Sequence, residues 1–280
     1  LGSCRHLIVL PDGCLRKLPF SLLVSAREKR RVEPDRLFAQ YRGCRFLIEE
    51  LSISYLPTAG LLISPAPGPR VDSEKASVVM MADPDPMPHG AKPLPGARTE
   101  TEMALRCFRV DRARLFTGAE ASEANLKGIT SSPALLHLAC HASLNDRRPA
   151  YSRLALAPGQ GEDGWLHAFE IERLTMNARL VVLSACETMG SQGRGEGLLG
   201  LCRAFLQSGA SSVLATAWMV DDQATAMLMG RFYLALASGK TPANALQSAQ
   251  QYVIRKGSRP GMNLIHPFFW AGFMHTGVDE

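Results

Sequence analysis

His141 and Cys186 are the residues of this sequence whose types and placement suit nucleophilic chemistry. His141 follows the apolar run "ALLHLAC", and Cys186 closes the apolar run "ARLVVLSAC". A free thiol, with a pKa of about 8.5, is mostly protonated at neutral pH. A neighbouring imidazole takes that proton, or stabilises the thiolate as imidazolium. The thiolate then attacks a carbonyl carbon, and the imidazolium protonates the leaving amine. The developing oxyanion needs donors, and the backbone N–H groups of Cys186 and Ala142 are candidates. Small residues flank both positions: Ala142 and Ser143 on one side, Ser184 and Ala185 on the other. They leave room for a substrate backbone. A lone cysteine or histidine in an apolar run is more often a core residue, so spacing alone leaves catalysis and structure both open. Cys140 points to the opposite strand face and reads as packing. His137 lies four residues before His141 without a third ligand, so a core or hydrogen-bonding role is expected and no metal site.

These two residues need strands to carry them. In open α/β sheets, ligands gather beyond the carboxyl ends of the strands. The 45 residues between His141 and Cys186 suffice for a hairpin, "SRLALAPGQGEDGW", and a crossover helix. A right-handed crossover then sets the two strands side by side or nearly so. Further strands are read in "HLIVLPDGCLRKLPFSLL", "FLIEELSISYLPTAGLLI", "SVVMMADPDP", "ARLFTG", "SSVLATAW" and a terminal "HPFFWAGFMHTG". Helices are read in "TETEMALRCF", "SEANLKGI" with Ser122 as its cap, "HAFEIERLTM", and "EGLLGLCRAFLQSGA" closed by Gly209. Two more follow, "DDQATAMLMGRFYLALASGK" and "TPANALQSAQQYVIRKG". Short continuous apolar strands alternating with helices predict an α/β fold with a mostly parallel sheet covered on both faces. "MGSQGRGEG", after Cys186, reads as a flexible glycine-rich loop suited to a lid or gate.

The totals bound the function. The chain has 280 residues, 46% hydrophobic, enough for one large or two small domains. A net charge of +5 without concentration does not argue for nucleic acid, and the basic run "REKRR" reads as a solvated segment. Seven cysteines in no zinc spacing fit a reducing compartment, so a cytoplasmic location is expected. No signal peptide and no membrane-spanning apolar run is read. The chain opens without an initiator methionine and is expected to be a piece of a longer protein.

"HLACHA" followed by "VVLSACETMGSQGRGEGLLGLCRAFLQSGASSVLATAWMVDDQATAMLMGRFYLAL" resembles the CHAT domain. These are caspase- and separase-like cysteine peptidases, often fused to tetratricopeptide repeats. "LIVLPDGCLRKLPFSLL", "SYLPTAGLL" and "MMADPDP … LPGARTE" fit the family's first half, and "ALQSAQQYVI … HPFFWAGFMHTG" its end. The resemblance implies a caspase-like three-layer α-β-α fold in a single domain, 1–280. Residues 1–105 would form a supporting part and 106–280 the catalytic part. It implies that His141 is the general base and Cys186 the nucleophile, cleaving an extended protein segment through a thioacyl intermediate without a cofactor. It further implies that Ala217, Trp218, Met219 and Val220 pair with the substrate as an added strand. Trp218 would wall a side-chain pocket or sit in the core. Of Asp221 and Asp222, one would cap the following helix and the other would face the groove and select a basic residue. Glu187 and Glu196 would orient His141 or a loop, or remain exposed turn carboxylates. The family often has glycine after the histidine; this chain has Ala142. An alanine still supplies an N–H if no positive φ is needed there. The same residues leave open an inactive protein-binding scaffold, and an acyltransferase or amidase. Family context adds bacterial defence, and control by a repeat or sensor module that orders the loop 190–197, with Arg194 a candidate cleavage point.

Overall fold

The structure is a computed structural model that describes residues 4–27, 38–63, 71, 76–88, 93–108, 111, 113–129, 132–184, 195–218, 221–257 and 264–278. Its centre is an eight-stranded sheet. The strands are β1 His6–Val9, β4 Ser52–Tyr55, β5 Val78–Pro84, β6 Ala113–Gly118, β7 Leu135–Ala139, β11 Leu180–Leu183, β12 Ser212–Thr216 and β13 Phe273–Gly277. Their order across the sheet is β1-β4-β13-β12-β11-β7-β5-β6. Every pairing is parallel except that of β12 with β13. Strands from before and after residue 105 interleave, because β4 joins β13 and β5 joins β7. Two small antiparallel sheets accompany it. One pairs β2 Val24–Arg27 with β3 Cys44–Phe46, and the other orders β10 Trp165–His167, β9 Arg153–Ala155 and β8 His141–Ser143.

The sheet is covered on both faces because its strands are apolar on both. Leu180 and Val182 of β11 enter one cluster, and Val181 and Leu183 the other. The first cluster is closed by α1 Pro95–Leu105, α5 Asp222–Ala237 and α6 Pro242–Gly257. The second is closed by α2 Glu123–Lys127, α3 Ala168–Ile171 and α4 Glu196–Gln207. This is the expected α-β-α sandwich. Each fully buried aliphatic or aromatic side chain in it contributes about 1.5–3 kcal/mol.

Local chemistry sets several boundaries. Ser122 caps α2, accepting from the Asn125 N–H at 3.2 Å. Gly209 closes α4 with φ +95°, a conformation suited to glycine. Four expectations need correction. The helix of "TETEMALRCF" starts earlier, at Pro95, whose missing N–H costs nothing in the first turn. "HAFEIERLTM" is mostly not helix: His167 ends β10 and only Ala168–Ile171 is helical. "HPFFWAGFMHTG" opens with a 3-10 turn, Pro267–Phe269, and only its second half is β13. Gly195 and Gly197 are not free loop, because Gly195 is the N-cap of α4 and Gly197 lies inside that helix. Of "REKRR", Arg27 ends β2 and residues 28–31 lie outside the described residues.

Candidate active site

β7 and β11 are parallel neighbours. Leu180 opposes Leu135 and Leu183 opposes Leu138, an offset of 45 residues, the same offset that separates Cys186 from His141. The pairing continues one residue further, the Ser184 N–H donating to the Leu138 carbonyl at 3.0 Å. Beyond Ala139 the chain leaves the sheet. His141 does not end β7 but opens β8, opposite Ala155 of β9, and is buried. Ala142 follows in the same extended strand, so its position makes no demand for positive φ. Cys186, Glu187, Arg194, Met219, Val220 and the side chain of Asp222 lie outside the described residues.

Two carboxylates bracket the segment 185–194. Before it, Ser184 Oγ donates to Glu100 Oε2 of α1 at 3.0 Å. After it, Asp146 accepts from the Gly195 N–H at 3.2 Å and from the Gly197 N–H at 2.8 Å, one with each oxygen. Those N–H groups are unpaired donors of a helix start, where an anion is favoured. Close packing locks the same junction. A Cβ on Gly197 would lie 2.8 Å from the Asn145 nitrogen, and one on Gly200 would lie 2.7 Å from Pro149 Cβ. The turn after His141 and the helix after Cys186 are therefore one packed unit. Glu196 is half-buried and its carboxylate pairs with Arg16. Neither Asp146 nor Glu100 stands out in the sequence. Asp146 lies in the turn-like "LNDRRP", and Glu100 is one of several acidic residues early in a helix.

The other expected residues fall as follows. The Ala217 N–H already donates to the Gly272 carbonyl at 2.8 Å, so that donor is taken. Trp218 is half-buried on the first core cluster and also lines a cavity, so it both packs and walls. Its indole N–H donates to the Phe268 carbonyl at 3.0 Å. Asp221 caps α5, accepting from the Ala224 N–H at 3.0 Å. Cys140 is buried, and burial pushes its thiol up to about 12, so it stays a neutral packing group. Three carboxylates, Glu123, Glu162 and Glu170, lie close enough to hold a cation, but Lys127 already sits among them at 2.7, 2.7 and 2.9 Å.

His137 is fully buried, bonded through Nδ1 to the Tyr233 hydroxyl. Burial lowers its pKa to about 3. An unfolded histidine titrates near 6.5, so below that pH the unfolded chain binds the extra proton. Stability is therefore fully present above about pH 6.5 and is lost as pH falls towards 3. Urea unfolding is expected to lose about 2 kcal/mol from this group between pH 6.5 and 4.5. The loss should shrink by that amount in His137→Gln; an unchanged slope would show that His137 is not its source.

A mostly parallel eight-stranded sheet covered by helices on both faces belongs to the caspase-like class of α/β folds. The chain is a member of the CHAT domain family, which matches residues 1–278. It is similar to Tetratricopeptide repeat protein 28 of Homo sapiens, 24% identical over 318 residues, covering 100% of this chain and 12% of that protein. Tetratricopeptide repeat protein 28 of Mus musculus is 33% identical over 114 residues, covering 41% of this chain and 4% of that protein. The chain thus spans a small part of these relatives. Among solved structures, separase in the Saccharomyces cerevisiae separase–securin complex matches with TM-score 0.51 and 16% identity, over 82% of this chain and 14% of that one. The Arg-specific cysteine proteinase gingipain R, RgpB of Porphyromonas gingivalis, matches with TM-score 0.51 and 8% identity, over 81% of this chain and 54% of that one. At these identities the likeness is one of fold. Among the described residues no helix is long and apolar enough to cross a membrane.

Proposed function

We propose that this chain is a cysteine endopeptidase that cuts an extended segment of a protein substrate. The observation that carries the reading is that β7 and β11 are parallel neighbours, with His141 two residues past the end of β7 and Cys186 two residues past the anchored Ser184. Only two residues of chain, a reach of about 7 Å, separate Cys186 from the anchored Ser184. His141 takes the Cys186 proton, and the sulfur attacks the scissile carbonyl carbon. The oxyanion is held by the N–H groups of Cys186 and Ala142. Collapse breaks the C–N bond, the imidazolium protonates the departing amine, and water then hydrolyses the thioester. Glu100 and Asp146 act as positioning residues by fixing the chain on either side of the nucleophile. Trp218, Met219 and Val220 supply the backbone for the substrate strand, the Ala217 N–H being already bonded to the Gly272 carbonyl. Asp222 remains the candidate for an acidic contact, Asp221 being spent on its cap. No cofactor enters this chemistry. A fused or bound repeat module in the cytoplasm would regulate it, as the tetratricopeptide names of the relatives and the securin partner of separase suggest.

A peptide-library cleavage screen tests the reading. Cys186→Ala and His141→Ala are each expected to lower cleavage by about a thousandfold or more, Cys186→Ala with its unfolding midpoint unchanged. Undiminished cleavage in Cys186→Ala would sink the proposal. Peptide capture without cleavage by the unaltered chain would favour a binding scaffold instead.

A further inference from the structure

A cavity of about 380 Å³ lies between α4 and the face of β12 and β13. One end is the junction described above. Gly195 is bonded to Asp146 there, and the Lys17 stem lies against it, 3.2 Å from where a Cβ would stand. This end also carries Leu144 and Asp146, three and five residues after His141. The walls between are apolar: Leu198 and Leu199 of α4 face the cavity with Ala215 and Met274, which oppose each other across β12 and β13. The far end is polar but uncharged, formed by Thr276, its strand neighbour Tyr55, and Cys202.

The charges around the cavity are mostly spent. Both oxygens of Asp146 are taken by backbone N–H groups. Arg16 is shared between Asp12, at 3.0 Å, and Glu196. Lys17 is exposed, and an ion pair formed in water there is worth little. At the far end Cys202 and Tyr55 stay neutral, since burial raises both, the thiol to about 12. An ionised side-chain terminus that reached the far end of this cavity would lose its water and meet only the uncharged Thr276, Tyr55 and Cys202 there.

We propose that this cavity is the pocket for the substrate side chain beside the scissile bond, and that it selects an uncharged, mainly apolar chain such as leucine or methionine. The proposal rests on the peptidase reading above. At that position it takes the place of the basic residue that Asp221 or Asp222 was expected to select, leaving Asp222 to contact a residue elsewhere on the substrate. The apolar walls reward buried methylenes, and the neutral far end accepts a thioether without demanding a charge.

The test is labelling of Cys186 by peptidyl acyloxymethyl ketones that differ only in the residue next to the warhead. Leucine and methionine probes are expected to label about tenfold to a hundredfold faster than glycine, arginine or aspartate probes. Filling the cavity with Leu199→Trp, or with Ala217→Leu should the first not fold, is expected to bring the leucine-to-glycine ratio close to one. Labelling of Cys186 that favours arginine or aspartate, or shows no preference, overturns the pocket assignment and leaves the peptidase reading standing. Failure of every probe to label Cys186 overturns both.

Discussion

Gly197→Ala is expected to lower the thermal midpoint by about 2–4 °C, although alanine is the better helix former. Gly197 is buried in α4 where that helix crosses the turn following His141. The added Cβ would meet the Asn145 nitrogen at 2.8 Å, Leu144 Cβ at 2.9 Å and Ser152 Oγ at 3.1 Å. Backbone atoms cannot swing aside, so either α4 or the turn must move. Overpacking of this kind costs about 1–3 kcal/mol, and more when backbone is involved. The gain in helix propensity, about 1 kcal/mol, offsets only part of it. Displacement also strains the bonds from Asp146 to Gly195 and Gly197, so the midpoint should fall together with any activity that depends on His141 and Cys186 being aligned. Gly230→Ala is the control. It lies in α5 with nothing within 4 Å of its added Cβ, and should raise the midpoint by about 2–4 °C. Thermal unfolding of the two variants should therefore give opposite signs; the same sign for both would refute the close-packing account.

Lys127→Met is expected to cost about 3 kcal/mol at neutral pH and clearly less near pH 4.5. The ammonium bridges Glu123, whose side chain is 1% exposed, with the less buried Glu162 and Glu170. Burial raises the Glu123 pKa against the pull of Lys127. Burial also acts upward on Glu170, but the His167 N–H and Lys127 outweigh it and hold its pKa down. With the lysine present, the depressed Glu170 contributes stability above the unfolded carboxylate range, and that contribution is lost as pH falls through its folded value. Without the lysine, three carboxylates whose oxygens lie within 4.8 Å repel one another. Their folded pKa values then exceed the unfolded ones, so acidification stabilises the variant relative to the unaltered chain. Urea unfolding of both proteins at pH 7.5 and pH 4.5 measures the difference; an equal cost at the two values would refute the ion-cluster account.

Much of the candidate site is readable in the sequence because its signals are local. Continuous apolar runs announce buried strands, and a histidine and a cysteine just past two such runs announce a chemical edge. Ser122 and Gly209 could be read as helix boundaries because a cap acts on its own next turn. Gly195 and Gly197 misled for the opposite reason. Glycine suits both mobile loops and tight contacts, and only the neighbour at Asn145 decides which. Asp146 was invisible for the same cause, since its partners Gly195 and Gly197 lie about fifty residues along the chain.

By itself the sequence determined the α/β class, the alternation of strands and helices, and the candidate pair His141 and Cys186, because hydrophobic periodicity and side-chain chemistry are written residue by residue. Tertiary structure alone decided that β7 and β11 are neighbours in a register of 45, and that β13 reverses direction beside β12. It also decided that Asp221 is spent on a cap while a largely apolar cavity opens under α4. Strand order, close approach and the pairing of charges depend on contacts between distant segments, and no local pattern encodes which segments meet.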